Sequence, residues 1–537
     1  MPVSYSHKKH RDARLHAAWD ALPDSHFDGL GVPRAAAKAT LAAMQGRLVL
    51  PGDDSYDQDR LLFNPLFNDY PVAIAFCATE ADVTVVLAFA RGLDLGFTVR
   101  SGGHCTAGFS SGSGVLLDVS ALTSLVIDPL GLVATVGCGV KFGAFFQTLD
   151  AYGLHVPGGE CPDVCVGGYV QGGGYGFTSV SFGMNCDNVL ALRVMLADGA
   201  IVTASNAHNA DLFWAMRGGT GGNFGVLLAV LYRLRPLGSV WGWAIAWPLD
   251  SLSGIAEASQ ALMLLQANYM RASICGADMT IQVSLCWQNW IDPTAPQPPP
   301  NTPLRPYLMA RGLYLGDPAK GQALIRPLAA LPGAILQWMQ SARFVKMNDM
   351  LLNYPQGMPP IDVMPFEDKS SRYVSRDLTS AEWTQMLAYF AAAPANSAYG
   401  YLEFYGGAIN SADPWLNAFS HRSCAFNLVM DVFWYENVDR KAREDFLLGW
   451  NKMAAAYWDG EIYQNYCNVV VPDYTANYWG QAYSLLQAIK AKYDPDAAFA
   501  FRQQVEPPFP GQVPTGPADL LAALARPIDY GAAAWSG

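Results

Sequence analysis

The sequence predicts a mixed helix-and-strand protein of two or more domains. Its 537 residues are 51% hydrophobic and 15% charged, an ordinary globular composition with ample core. Short apolar strands and helical stretches alternate up to about Leu234, interrupted by three glycine-rich runs. From about Trp241 the character changes, and longer helical and strand patterns follow.

Taken in order, the first forty-odd residues read as polar and helical. After the turn Pro51-Gly52-Asp53-Asp54 comes an apolar strand, Val72 to Phe76. Thr79 is placed to cap a helix, with Asp82 three residues on, and the helix stops near Gly92. Phe97 to Arg100, Val115 to Val119 and Leu132 to Gly139 read as strands, and Phe142 to Tyr152 as a helix. Val189 to Leu196 and Ile201 to Ala204 pair across Asp198-Gly199, a hairpin signal. Val226 to Leu234 is a strand, closed by Pro236. The proline run from Asp292 to Pro300 reads as an exposed, semi-rigid loop. Tyr399 to Gly407 and Phe426 to Tyr435 read as strands, Ala442 to Tyr457 and Tyr478 to Tyr493 as helices. After Pro507 the chain is rich in Pro, Gly and Ala and reads as an appended tail.

Composition excludes several classes of partner. A net charge of -12 opposes binding to phosphate backbones, so nucleic acid is not an expected partner. No apolar run reaches the roughly 18 to 20 residues that cross a membrane. Met1 to Arg14 is rich in His, Lys and Arg and lacks the apolar core of a secretory signal, which points to a cytoplasmic location. The ten cysteines form no CxxC pair, so neither a zinc site nor any other metal site is expected. Gly108-Phe109-Ser110-Ser111-Gly112 has the spacing of a hydrolase nucleophile turn. A strand and not a helix follows it, so that reading fails.

The chemistry concentrates in the glycine runs. Arg100-Ser101-Gly102-Gly103-His104 is the first. The second spans Pro157 to Gly176 and contains Cys161, Val164, Gly168, Tyr169 and the triplet Gly172-Gly173-Gly174 before Gly176. The third runs from Gly218 through Asn223 to Val226. Glycines let backbone N–H groups turn inward and approach a ligand closely, and successive inward N–H groups suit a pyrophosphate. The strand–turn–helix setting of a Rossmann site is missing.

These runs resemble those of the vanillyl-alcohol-oxidase-type flavoenzymes, specifically the berberine-bridge-enzyme-like branch. The resemblance spans about Asp59 to Pro508. It implies a two-domain α+β fold, with an FAD-binding domain over 1–238, an antiparallel-sheet substrate domain over 239–455, a C-terminal return to the FAD domain over 456–510, and a tail over 511–537. It implies FAD bound by two covalent links, from His104 and from Cys161 to flavin C6. Cys105 and Thr106 stand where relatives have serine and tyrosine, Cys165 where they commonly have glycine, and Tyr169 where they carry a histidine. It further implies that Val164, three past the linking cysteine, governs dioxygen access.

In Tyr463-Gln464-Asn465-Tyr466 the resemblance makes Tyr466 the catalytic base and puts Asn465 beside the cofactor. A phenol of pKa about 10 is a poor base near neutrality, so a carboxylate should take its proton or orient it. Glu403 is the candidate, and Tyr405, two residues on, would share its strand face. Asn427 and Asp431 share a face of the next strand and are candidates for the pocket. The implied activity is oxidation of an alcohol carbon of a sugar or hydroxylated natural product, with hydride passing to flavin N5 and dioxygen reduced to hydrogen peroxide. An oxidative cyclase or dehydrogenating enzyme of secondary metabolism is the alternative, and a flavin-binding protein without turnover is the third.

Overall fold

The computed structural model describes residues 16–270, 274–289, 291–299, 301–352 and 364–531. The basic start and Pro300 lie outside them. Three helices, His16–Ala21, Asp24–Leu30 and Arg34–Ala43, lead into the first sheet. That sheet contains β1 (Arg47–Val49), β2 (Ala73–Phe76), β3 (Phe97–Arg100) and β4 (Val115–Asp118), in the order β1-β2-β4-β3. β2, β4 and β3 run parallel, and β1 is antiparallel to β2. The helix Glu80–Gly92 crosses from β2 to β3. Thr79 accepts from the Asp82 N–H while the Asp82 carboxylate accepts from the Thr79 N–H, satisfying two otherwise orphaned donors. Its face Val83, Val86, Leu87 and Ala90 is buried at helical spacing.

A second, antiparallel sheet holds β5 (Leu125–Asp128), β6 (Val133–Gly137), β8 (Val189–Met195), β9 (Ile201–Ser205) and β10 (Val226–Arg233), in the order β5-β6-β10-β8-β9. Between its strands, β7 (Leu154–His155) pairs with β11 (Arg235–Pro236) as a short ribbon. The β8–β9 turn needs a left-handed residue, and Gly199 supplies it at φ +88°.

The third sheet has seven antiparallel strands: β12 (Ser239–Pro248), β13 (Met279–Gln288), β14 (Arg305–Tyr314), β15 (Ile335–Arg343), β16 (Phe366–Val374), β17 (Ala398–Phe404) and β18 (Phe426–Trp434). Their order is β15-β12-β14-β13-β17-β18-β16. Every residue of β13 is buried, so both faces of the sheet are covered. Alternation assigns those faces. Ile281, Val283 and Leu285 pack into a core with the helices Leu252–Asn268, Ser380–Ala391 and Asn437–Ala454. Thr280, Gln282 and Ser284 point the other way, and Gln282 reaches a cavity shared with the first two sheets.

The chain then returns. Ile462, Tyr478, Leu485, Ile489 and Val505 join the core of the first two sheets. Phe499 bridges to Phe97 at the edge of the parallel sheet.

Four expectations need correction. β17 ends at Phe404, and Gly406 (φ +110°) and Gly407 (φ +49°) turn the chain into a short helix. The helix expected from Ala442 begins at Asn437. The helix expected over Tyr478 to Tyr493 is two, Tyr474–Trp479 and Tyr483–Tyr493, broken at Gly480 (φ +48°). The tail is docked: in its helix Ala518–Leu524, Leu520 and Ala523 are buried, and Asp529 exchanges backbone bonds with the Asn209 side chain at 2.8 and 2.9 Å. Among the described residues no helix is long and apolar enough to cross a membrane.

Candidate active site

The glycine runs converge on one cavity of about 460 Å³ between the first two sheets, the seven-stranded sheet and the returning segment. β3 delivers the first run. Arg100 at its end is fully buried, with Nε 2.5 Å from the Asp118 carboxylate of β4 and a second nitrogen 2.8 Å from the Asp59 carbonyl. Arg100 therefore anchors the loop from behind. Beyond it Ser101 donates to the Cys138 carbonyl at 2.7 Å, and Gly103 takes φ +74°. His104 stacks on Phe63, centroids 4.4 Å apart, and lies in the cavity wall with Ser101, Gly102 and Gly103.

The second run places Cys161, Val164, Gly168 and Tyr169 in the same wall. Burial pushes the Cys161 thiol up, while the Asp163 and Val164 N–H groups draw it down. Gly174 and Gly176 stand back from the wall for steric reasons. An added Cβ at Gly176 would fall 2.1 Å from the Gly158 carbonyl oxygen, and one at Gly174 2.4 Å from the Tyr169 ring. The Gly174 and Tyr175 N–H groups donate to the Tyr463 hydroxyl at 2.8 and 3.1 Å. Gly173 also packs behind, against the Phe419 ring.

In the third run Thr220, Gly221, Gly222 and Gly225 line the cavity. Asn223 is the brace behind them, donating to the Gly219 carbonyl at 2.9 Å and accepting from the Val505 N–H at 2.8 Å. Val226 is buried in β10 and does not reach the cavity.

These residues suit an extended dinucleotide. Gly168 lines the cavity, and none of the described residues comes within 4 Å of an added Cβ there. Ser110 Oγ is buried in the wall with no partner among the described residues, which leaves a polar contact for a ligand.

Tyr466 enters the wall from the returning segment, next to Asn465, whose side chain donates to the Tyr169 carbonyl at 3.0 Å. The Tyr466 hydroxyl donates to Glu403 Oε1 at 2.7 Å. The other Glu403 oxygen accepts from Asn427 at 3.0 Å. Burial, then the nearby Glu160, push Glu403 up to about 8, against the bonds from Asn427 and Tyr466 and the charge of Lys369. Burial, then Glu403, hold the Tyr466 phenol well above its ordinary value. Lys369 lies 5.3 Å from the Tyr466 ring and is bound to Asp431 at 2.7 Å and Glu367 at 3.0 Å. Burial alone would lower Lys369, but the two carboxylates hold it well above the ordinary lysine range.

Glu403 and Asn427 thus stand directly behind Tyr466, and Asp431 holds Lys369. Tyr405 is elsewhere. Because β17 ends at Phe404, its ring is buried outside the cavity wall, stacked on Tyr175 at 5.4 Å with its hydroxyl 2.9 Å from that of Tyr373.

Sequence reading passed over one polar wall. Gln282 donates to Glu160 at 3.0 Å and accepts from Arg311 at 2.8 Å, and Arg311 lies 3.3 Å from the Tyr399 hydroxyl. Burial raises Glu160 to about 7 although Arg311 pulls it down. Strand alternation could have found part of this wall, since Tyr399, Tyr401 and Glu403 share one face of β17.

Comparison with known proteins agrees with this architecture. Residues 71–205 match the FAD binding domain family and residues 462–506 the berberine and berberine-like family. An FAD-linked oxidoreductase of Bacillus subtilis is 24% identical over 473 residues, 86% of this chain and 97% of that protein. The carbohydrate oxidase of Microdochium nivale is 26% identical over 510 residues, 89% and 96% of the two chains. The solved structure of Physcomitrella patens BBE-like 1 superposes with TM-score 0.76 at 24% identity, covering 88% of this chain and 99% of the other. The chain has the berberine-bridge-enzyme-like fold and is an FAD-linked oxidoreductase.

Proposed function

We propose that this berberine-bridge-enzyme-like FAD-linked oxidoreductase is an oxidase of alcohol carbons in a carbohydrate or comparably hydroxylated compound. The observation that carries the reading is the 2.7 Å hydrogen bond to Glu403 that stands behind Tyr466, in the wall of the cavity that also presents His104 and Cys161. The name of the Microdochium nivale relative, a carbohydrate oxidase, supports the substrate class. So does the wall of Glu160, Gln282, Arg311, Tyr399 and Lys369, whose many donors and acceptors match a molecule bearing several hydroxyls.

His104 and Cys161 would hold FAD covalently, and the glycine runs would cradle it. When bound, FAD supplies the two-electron acceptor and returns the pair to dioxygen. The protein's own part is the proton. Tyr466 Oη takes the substrate hydroxyl proton while giving its own to Glu403 Oε1, so no free phenolate has to form. Glu403 is suited to that end, since a carboxylate raised to about 8 is, once ionised, a stronger proton acceptor than an ordinary one. Asn427 fixes its orientation.

The relay has a pH signature. Glu403 accepts a proton only when ionised, and its pKa lies near 8, above the ordinary value of 4.5. Flavin reduction should therefore rise with pH and level off above about 8. Glu403→Gln should slow reduction by roughly 10-fold at the plateau and flatten this limb. A Glu403→Gln profile that still rises toward pH 8 would transfer the limb to another group.

Oxygen access is a separate element. Val164→Ile adds one methylene in the cavity wall, and packed interiors feel a change of that size. Substrate reduction should stay nearly unchanged while reoxidation by air slows several-fold in stopped flow. Equal reoxidation rates would remove Val164 as the gate.

The function itself is tested with an oxygen electrode and a panel of mono- and oligosaccharides beside phenolic alcohols. Oxygen uptake matched by peroxide is expected with a sugar, and its product should lack two hydrogens. Anaerobic bleaching by a sugar without peroxide on readmitting air would make the protein a dehydrogenase.

A further inference from the structure

Two cysteines outside the proposed mechanism meet at this cavity. Cys105 directly follows His104, and Cys467 directly follows Tyr466. Their sulfurs are 3.6 Å apart, and both residues lie in the cavity wall. Thr106 ties the same two loops, donating to the Cys467 carbonyl at 2.7 Å.

The two thiols are not equivalent. The contact with Cys467, in which either sulfur can donate, lowers the Cys105 thiol most, and the N–H groups of Ala107, Phe109 and Gly108 add to it, so that it falls to about 7 although burial opposes them. Cys467 is pushed up, first by its bond to Cys105 and then by burial. A thiolate in a nest of donors beside a protonated partner is the arrangement of a reactive cysteine with a resolving one. Burial instead pushes the thiols of Cys77, Cys186 and Cys424 up.

We propose that Cys105 and Cys467 form a peroxide-sensitive dithiol whose oxidation to a disulfide ties the His104 loop to the Tyr466 loop and slows the reductive half-reaction. The Cys105 thiolate attacks one oxygen of hydrogen peroxide. The O–O bond breaks, the other oxygen leaves as hydroxide and becomes water, and Cys105 becomes a sulfenic acid. The Cys467 sulfur then attacks the Cys105 sulfur, and the sulfenic oxygen leaves as water with the Cys467 proton. Two thiols are oxidised to one disulfide, and one peroxide is reduced to two waters. The source of peroxide rests on the oxidase reading above, whereas the dithiol does not. A disulfide needs its sulfurs about 2.05 Å apart, so closure draws the two sulfurs together by roughly 1.5 Å and pulls on the loop that sets Tyr466 against Glu403. Displacements near 1 Å cost up to about 100-fold in positioned catalysis.

The test uses the flavin-loaded enzyme without substrate, exposed to hydrogen peroxide and mapped by non-reducing proteolysis and mass spectrometry. A peptide pair joining Cys105 to Cys467 is expected, with flavin reduction slowed about 10-fold and restored by dithiothreitol. Cys105→Ser and Cys467→Ser, each compared with itself before and after peroxide, should show no reversible loss. Both thiols still open to alkylation after peroxide, or a mapped disulfide with an unchanged reduction rate, would overturn the proposal; neither result depends on the variants folding. A second arm uses turnover in air with and without catalase. A cross-link from added peroxide but none during turnover would uphold the dithiol and count against the oxidase reading.

Discussion

Tyr466→Phe should leave the protein yellow and slow flavin reduction by roughly 100-fold or more, the scale of a lost general base. The ring keeps its packing against Tyr463, centroids 4.8 Å apart, and against Tyr401 at 6.1 Å. Only the oxygen goes, and with it the 2.7 Å bond to Glu403. Glu403 is then left buried without that donor. Because the bond opposes the rise in its pKa, the carboxyl should become harder to ionise. Rapid mixing under anaerobic conditions gives the rate, and the flavin spectrum before mixing shows that the cofactor site survives. Wild-type reduction rates in Tyr466→Phe would require another base, and not Lys369, whose two carboxylate partners keep it protonated.

The second large effect concerns cofactor retention. Acid denaturation should release no flavin from wild-type protein or from either single variant, His104→Ala or Cys161→Ala. The double variant should release all of it. Two bonds in parallel give this pattern, since either suffices to keep flavin on an unfolded chain. The two residues sit on different loops of one cavity, one fed by β3 and one after the helix Phe142–Ala151. Complete release from wild-type protein by acid would end the covalent assignment, and release from one single variant would reduce it to one bond.

Local signals carried much of the architecture. The Thr79–Asp82 cap, the β8–β9 turn at Asp198-Gly199 and the strands feeding the glycine runs depend on neighbours within a few residues. Such features are set by backbone sterics and short-range hydrogen bonds, so they can be read along the chain. Ser101–His104, Cys161, Val164, Gly168, Tyr169, Asn465 and Tyr466, which line one cavity in the structure, were marked instead by the resemblance of their motifs to those of flavoenzymes. Glycine accounts for two of the failures. Gly406 and Gly407 end β17 before Tyr405, and Gly480 splits a helix that apolar spacing alone would continue.

By itself, then, the sequence determined which loops are glycine-rich and which residue types stand beside them, because glycine placement and strand alternation are local properties. Only the tertiary structure decided what those residues face. Tyr466 and Glu403 are 63 positions apart, Gln282 and Glu160 are 122 apart, and Cys105 and Cys467 are 362 apart. Lys369 comes to Tyr466 from the far edge strand β16, and Asn223 serves Val505 and not the cavity. No sequence period encodes such pairs. They arise when the seven-stranded sheet and the returning segment close over the glycine loops, and burial in that closed seam is what raises Glu403 to about 8 and makes it a stronger proton acceptor once ionised.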